Sequence, residues 1–168
     1  MREIFGKHRQ DLNEIRRLCL ICHGLDLTSD KLFNASTYDA SSEATKAVFQ
    51  NLVSGTLLNL AVAIRVNIYQ GKLPNHQENC PLTHCGFYYD NEEMFCKEFT
   101  IKDVCDKIIH ADTFSKEAFP PKMLGNAKMT IQLKGTHQSR LWTLDLSIEL
   151  FTEAVLNYLD TLEAEASN

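Results

Sequence analysis

Ser41–Gln70, SSEATKAVFQNLVSGTLLNLAVAIRVNIYQ, is the stretch that decides the fold. Ser41 and Ser42 ahead of Glu43 supply a helix start, because a serine hydroxyl accepts a hydrogen bond from an unpaired N–H of the first turn. Gly71 and Pro74 supply the stop. Between them run two apolar stripes at helical spacing. One is Ala44, Val48, Leu52, Gly55, Leu58, Val62, Val66 and Tyr69; the other is Leu57, Ala61, Ile64 and Ile68. The spacing predicts a long helix buried on two sides, the spine of a helical domain. Gly55, which costs about 1 kcal/mol relative to Ala inside a helix, predicts a close helix crossing. Asn59 and Arg65 stand out as polar side chains in apolar surroundings.

Upstream, residues 5–24 place Leu12, Ile15, Leu18, Cys19 and Cys22 at helical spacing, with Gly24 as the stop and Arg9, Asn13, Arg16 and Arg17 as a solvated face. Residues 25–42, rich in Asp, Ser, Thr and Asn, read as a loop anchored by Phe33 and Tyr38. Downstream, residues 73–98 read as irregular, with a short strand at Phe87-Tyr88-Tyr89.

A further helix starts at Ile101. Thr100 and Asp103 form a capping box, and Phe99 can staple onto Val104. Met129, Ile131 and Leu133 alternate with polar residues, as do Trp142, Leu144 and Leu146, so a hairpin with a five-residue loop, Gly135–Ser139, is expected. A last helix carries Ile148, Phe151, Val155, Tyr158, Leu159 and Leu162 on one face and frays over 163–168. Together these predict a single domain over 1–168, mainly α (α+β). It is a bundle of about four helices with a C-terminal β-hairpin inserted before the last.

Composition narrows the function. A hydrophobic fraction of 44% and a charged fraction of 23% are those of a globular chain. The stretch from Leu57 to Ile68 is broken by Asn59, Arg65 and Asn67 and is shorter than the roughly 20 residues a bilayer requires, so no membrane span is expected. The N-terminus lacks the pattern of a secretory signal, and six cysteines read as reduced thiols, which points to a cytoplasmic location. A net charge of −5 argues against gripping nucleic acid with the whole surface.

Chemistry concentrates near the end of the third helix. Ile101, Val104, Cys105, Ile108 and Ile109 share one stripe, and Asp103, Asp106, Lys107 and His110 share the opposite face. The simple reading is an Asp106–His110 helix pair with His110 capping the last carbonyls. The run Asp106-Lys107-Ile108-Ile109-His110 also resembles the signature of the HEPN superfamily (higher eukaryotes and prokaryotes nucleotide-binding domains), an arginine followed by a polar residue, three more residues and a histidine. Asp106 matches the polar position and His110 the histidine, while Cys105 falls where the arginine would stand.

The resemblance implies a helical, homodimeric, cofactor-free domain with a cleft for metal-independent RNA cleavage, working in an RNA-directed or defence setting. His110 would move a proton and Asp106 support it, with Lys107 or Arg65 replacing the absent guanidinium and Asn59 and Asp103 lining the site. Without that guanidinium the resemblance implies a degenerate member that binds RNA or a protein partner. The alternatives are a helical protein-interaction domain with no nucleic-acid role and a weak ribonuclease.

Metal sites have little support in the spacing. Cys19-x-x-Cys22-His23 puts both thiols on an apolar stripe. His76, Cys80, His84 and Cys85, with Cys96 beyond, form a denser group that matches none of the usual tetrahedral zinc patterns. Cys80, His84 and Cys85 are its nearest approach to a ligand set.

Overall fold

A computed structural model describes residues 12–29, 43–71, 73, 80–91, 93–95, 99–116 and 130–167. The chain forms α1 (Leu12–Ser29), α2 (Glu43–Tyr69), β1 (Leu82–Thr83), β2 (Gly86–Asp90), β3 (Glu93–Phe95), β4 (Phe99–Thr100), α3 (Ile101–Ile109), β5 (Thr113–Lys116), β6 (Thr130–His137), β7 (Arg140–Ser147) and α4 (Ile148–Ala166). It is a mixed α+β fold of four helices and two antiparallel sheets among the described residues. The larger sheet has the order β3-β2-β7-β6-β5, and β1 pairs with β4 in a two-stranded ladder.

The expected hairpin is therefore the β6–β7 pair of a five-stranded sheet, and it leads directly into α4. Its loop is shorter than the sequence suggests. His137 pairs with Arg140, which leaves a two-residue turn in which Gln138 and Ser139 have φ of 47° and 67°. Two consecutive left-handed residues match the twist of the flanking strands. Gly135 belongs to β6 and faces Trp142, where a Cβ would run into the indole ring and the His110 carbonyl.

The segment read as irregular contributes β1, β2 and β3, of which β2 is the expected strand at Phe87-Tyr88-Tyr89. All five β2 residues are half-buried, so no apolar–polar alternation marks the strand. Pairing with β7 sets Tyr88 opposite Leu144 and Asp90 opposite Trp142. Ile131, Leu133, Leu144 and Leu146 lie on one face of the sheet and are buried. This face joins Ile15, Leu57, Leu60, Ile64, Ile101, Val104, Phe151 and Leu159 of the helices in one core. α1 packs on α2 and α4, and α2 packs on α3.

Other expectations are corrected. α1 continues past Gly24 to Ser29, since Asp26 and Ser29 are buried along its inner face and Thr28 bonds back to the Gly24 carbonyl at 2.9 Å. α4 runs to Ala166, and Arg16 binds Glu163 at 2.8 Å and Asp160 at 3.1 Å across the helix pair. The helix that residues 5–11 would begin, the anchors Phe33 and Tyr38, and the metal candidates His76 and Cys96 lie outside the described residues.

The largest correction concerns α2. Leu57, Ala61, Ile64 and Ile68 are buried as expected, whereas Val48, Leu52, Leu58, Val62 and Tyr69 are exposed. Gly55 is exposed as well, and a Cβ there would meet nothing within 4 Å, so no helix of the described fold crosses it. By length and composition α2 could cross a membrane, in contrast to the expectation from the Leu57–Ile68 stretch alone. Only a third of its apolar window is buried.

Candidate functional site

α3 is nine residues long, and its own sequence fixes both ends. The Thr100 hydroxyl accepts from the Asp103 N–H at 3.1 Å, while the Asp103 carboxylate accepts from the Thr100 N–H at 3.0 Å. At the other end the His110 N–H donates to the Asp106 carbonyl at 3.0 Å. Asp103 is thus the acidic member of the capping box. Ile101, Val104, Cys105 and Ile108 face the core, and burial pushes the Cys105 thiol well above its ordinary range.

The opposite face divides three ways. Asp106 turns toward α2, where Arg65 Nε lies 2.6 Å from its carboxylate in an ion pair, and Lys102 adds a second contact at 3.2 Å. This carboxylate is the one that an Asp106–His110 pair would use. Lys107 turns toward the sheet instead. Its Nζ lies 4.8 Å from the Tyr88 ring centroid and 4.5 Å from that of Trp142, and it donates to the Tyr88 hydroxyl at 3.3 Å. Burial lowers the Lys107 pKa, with Asp90, Asp103 and Asp106 opposing the shift. His110 is exposed at the C-cap.

Of the residues expected to form one site, then, the fold joins Arg65 to Asp106, sends Lys107 elsewhere and leaves His110 in solvent. Asn59 lies on the exposed face of α2, whereas Arg65 reaches α3 from a half-buried position on that helix. Cys80 and Cys85 are buried, and His84 between them is exposed, so the three do not converge as a ligand set. The Cys85 thiol is pushed up to about 11 by burial. Cys19 and Cys22 are likewise core thiols, pushed up to about 12.

Two arrangements had no counterpart in the sequence reading. His23 of α1 and Glu149 and Glu153 of α4 bring one donor atom each within 4.8 Å of one another, which makes them the described residues whose donors could hold a metal ion. The carboxylates stand one helical turn apart, a spacing visible in the sequence, but only the α1–α4 packing adds the imidazole. The second is an open cleft of about 350 Å³ at the β6–β7 turn, lined by Tyr88, Asp90, His137, Gln138, Arg140 and Trp142. Asp90 and Arg140 face each other across it at 4.0 Å. The signal for it was the Phe87-Tyr88-Tyr89-Asp90 run, whose pairing with β7 brings Tyr88 and Trp142 onto one face.

No protein-family model, curated protein or solved structure matches this chain.

Proposed function

We propose that the protein is a HEPN-like binding and dimerisation module without ribonuclease activity. The observation that carries this reading is the Arg65–Asp106 ion pair at 2.6 Å beside the buried Cys105. An arginine that stabilises a phosphorane must present a free guanidinium edge, and losing such an electrostatic group costs around 10²–10³ in rate. In this chain the Asp106 carboxylate against Nε offsets the charge of the guanidinium, and Cys105 carries no charge. Lys107 is a point charge held against two aromatic rings. His110 then lacks the electrostatic partner that its proton transfer would require.

The acidic net charge and the uncharged outer face of α2 favour contact with protein over a grip on RNA. The RNA-directed or defence setting is what the motif resemblance contributes. A second reading, weak metal-independent cleavage, draws support from Arg65 reaching the motif helix at Asp106.

Incubation of purified protein with single-stranded RNA in the presence of a chelator separates the two. The expected outcome is no cleavage above buffer, with His110→Ala behaving like the unsubstituted chain. Cleavage abolished by both His110→Ala and Arg65→Ala, with melting temperatures intact, would establish the nuclease reading instead.

A further inference from the structure

The outer face of α2 is unusual for a surface helix. Residues 47–64 hold no Asp, Glu, Lys or Arg, in a chain that is 23% charged overall. Five large apolar side chains on this face are exposed: Val48 60%, Leu52 53%, Leu58 43%, Val62 38% and Tyr69 90%. Val48, Leu52, Gly55, Asn59, Val62 and Val66 follow one another at intervals of four, three, four, three and four residues. The four steps from Val48 to Val62 average 3.5, the repeat of a seam that faces another helix along its length.

We infer that this face pairs with the same face of a second copy of the chain, the two α2 helices running antiparallel. The inference rests on the reading of the chain as a dimerisation module and names the surface involved. Antiparallel layers centred near Leu57 set Val48 against Val66 of the partner subunit, Leu52 against Val62 of the partner subunit and Gly55 against Asn59 of the partner subunit. A Cβ on Gly55 would meet nothing within 4 Å, so the space beside it is open to the Asn59 amide of the partner subunit. Parallel pairing would instead stack Gly55 on its own copy and leave a void, and it would align the two helix dipoles.

The scale is adequate. Val48 to Val66 covers about 27 Å at 1.5 Å per residue, and Leu58 and Tyr69 widen the strip toward the ~600 Å² per partner at the lower end of stable interfaces. A bilayer suits the face less well. Asn51 and Asn59 are exposed on it, and an amide buried in hydrocarbon without a partner costs several kcal/mol. Across a helix pair, Asn59 sits in the open space beside Gly55 of the partner subunit, and a polar residue at one seam position fixes register.

Single-cysteine substitutions test the arrangement. Leu52→Cys and Val62→Cys chains are oxidised separately and as a mixture, with the unsubstituted protein as baseline, and run on a non-reducing gel. A species of twice the chain mass is expected in the mixture and absent from either variant alone. Cross-linking of each variant with itself would mean parallel pairing and overturn the arrangement, as would no cross-link at all. Flotation of the unsubstituted protein with phosphatidylcholine vesicles would assign the face to a bilayer and overturn the proposal. These outcomes are independent of the RNA assay, so a failed pairing leaves the non-catalytic reading standing, and RNA cleavage leaves the cross-link result standing.

Discussion

α3 and α2 differ in how far the described fold accounts for them. α3 carries a capping box, a buried stripe of Ile101, Val104, Cys105 and Ile108, and a polar side whose charges are engaged by Arg65, Tyr88 and Trp142. α2 spans 27 residues and buries one stripe, with a second apolar stripe left in solvent. A helix that uses its whole circumference within the fold explains its own sequence. One that leaves an uncharged face outside points to a contact beyond the described chain.

Substitutions that distinguish the two regions sharpen the contrast. Leu57→Ala, on the buried stripe of α2, removes a fully buried side chain and is expected to cost about 2–5 kcal/mol in urea unfolding. A cost near zero would mean that this face is not core.

Alkaline titration probes the same interior. Cys19 and Cys22 are pushed up to about 12 and Cys85 to about 11, from an ordinary 9.0. A thiol whose folded pKa is raised stabilises the fold fully below its unfolded value. That stability is lost as pH rises toward the folded value, because the folded state then holds more protons. Melting temperature should therefore fall from pH 9 to pH 11, with on the order of 1 kcal/mol lost per pH unit for each thiol. A flat profile would mean that the thiols are solvated.

Smaller effects follow at the cap and on the outer face. Thr100→Ala removes the N-cap of α3 and should cost about 1 kcal/mol, read as a shifted urea midpoint with unchanged slope. Leu52→Ala, five residues from Leu57, should stay within about 0.5 kcal/mol in a solution dilute enough to separate the copies. A loss as large as that of Leu57→Ala would remove the distinction between the two faces.

Much of this contrast was legible in the sequence where local chemistry decides structure. Thr100 and Asp103 announced the start of α3, and the alternation around Ile131 and Leu144 announced the β6–β7 pair. What the sequence left hidden depends on distant neighbours. Phe87-Tyr88-Tyr89 marks β2 as a strand, but both of its faces are half-covered, so its partner and register follow only from the pairing with β7. Gly24 reads as a stop, yet the burial of Asp26 and Ser29 carries α1 past it.

The candidate site divides along the same line. Asp106 and Lys107 are adjacent in sequence and point about 100° apart around a helix. One meets Arg65 and the other Trp142, and no local pattern indicates which neighbour lies on which side. The two stripes of α2 look equally apolar in sequence, and only the positions of α1 and α3 decide which is buried.

Sedimentation equilibrium over a micromolar concentration range tests the central claim, that the outer stripe of α2 is a contact face for a second copy. The unsubstituted protein should approach twice the 19.1 kDa chain mass as concentration rises. Val62→Lys, which sets a charge on the exposed stripe, should remain at 19.1 kDa throughout. A single-chain mass for the unsubstituted protein over the whole range, or a dimer undisturbed by Val62→Lys, would contradict the account.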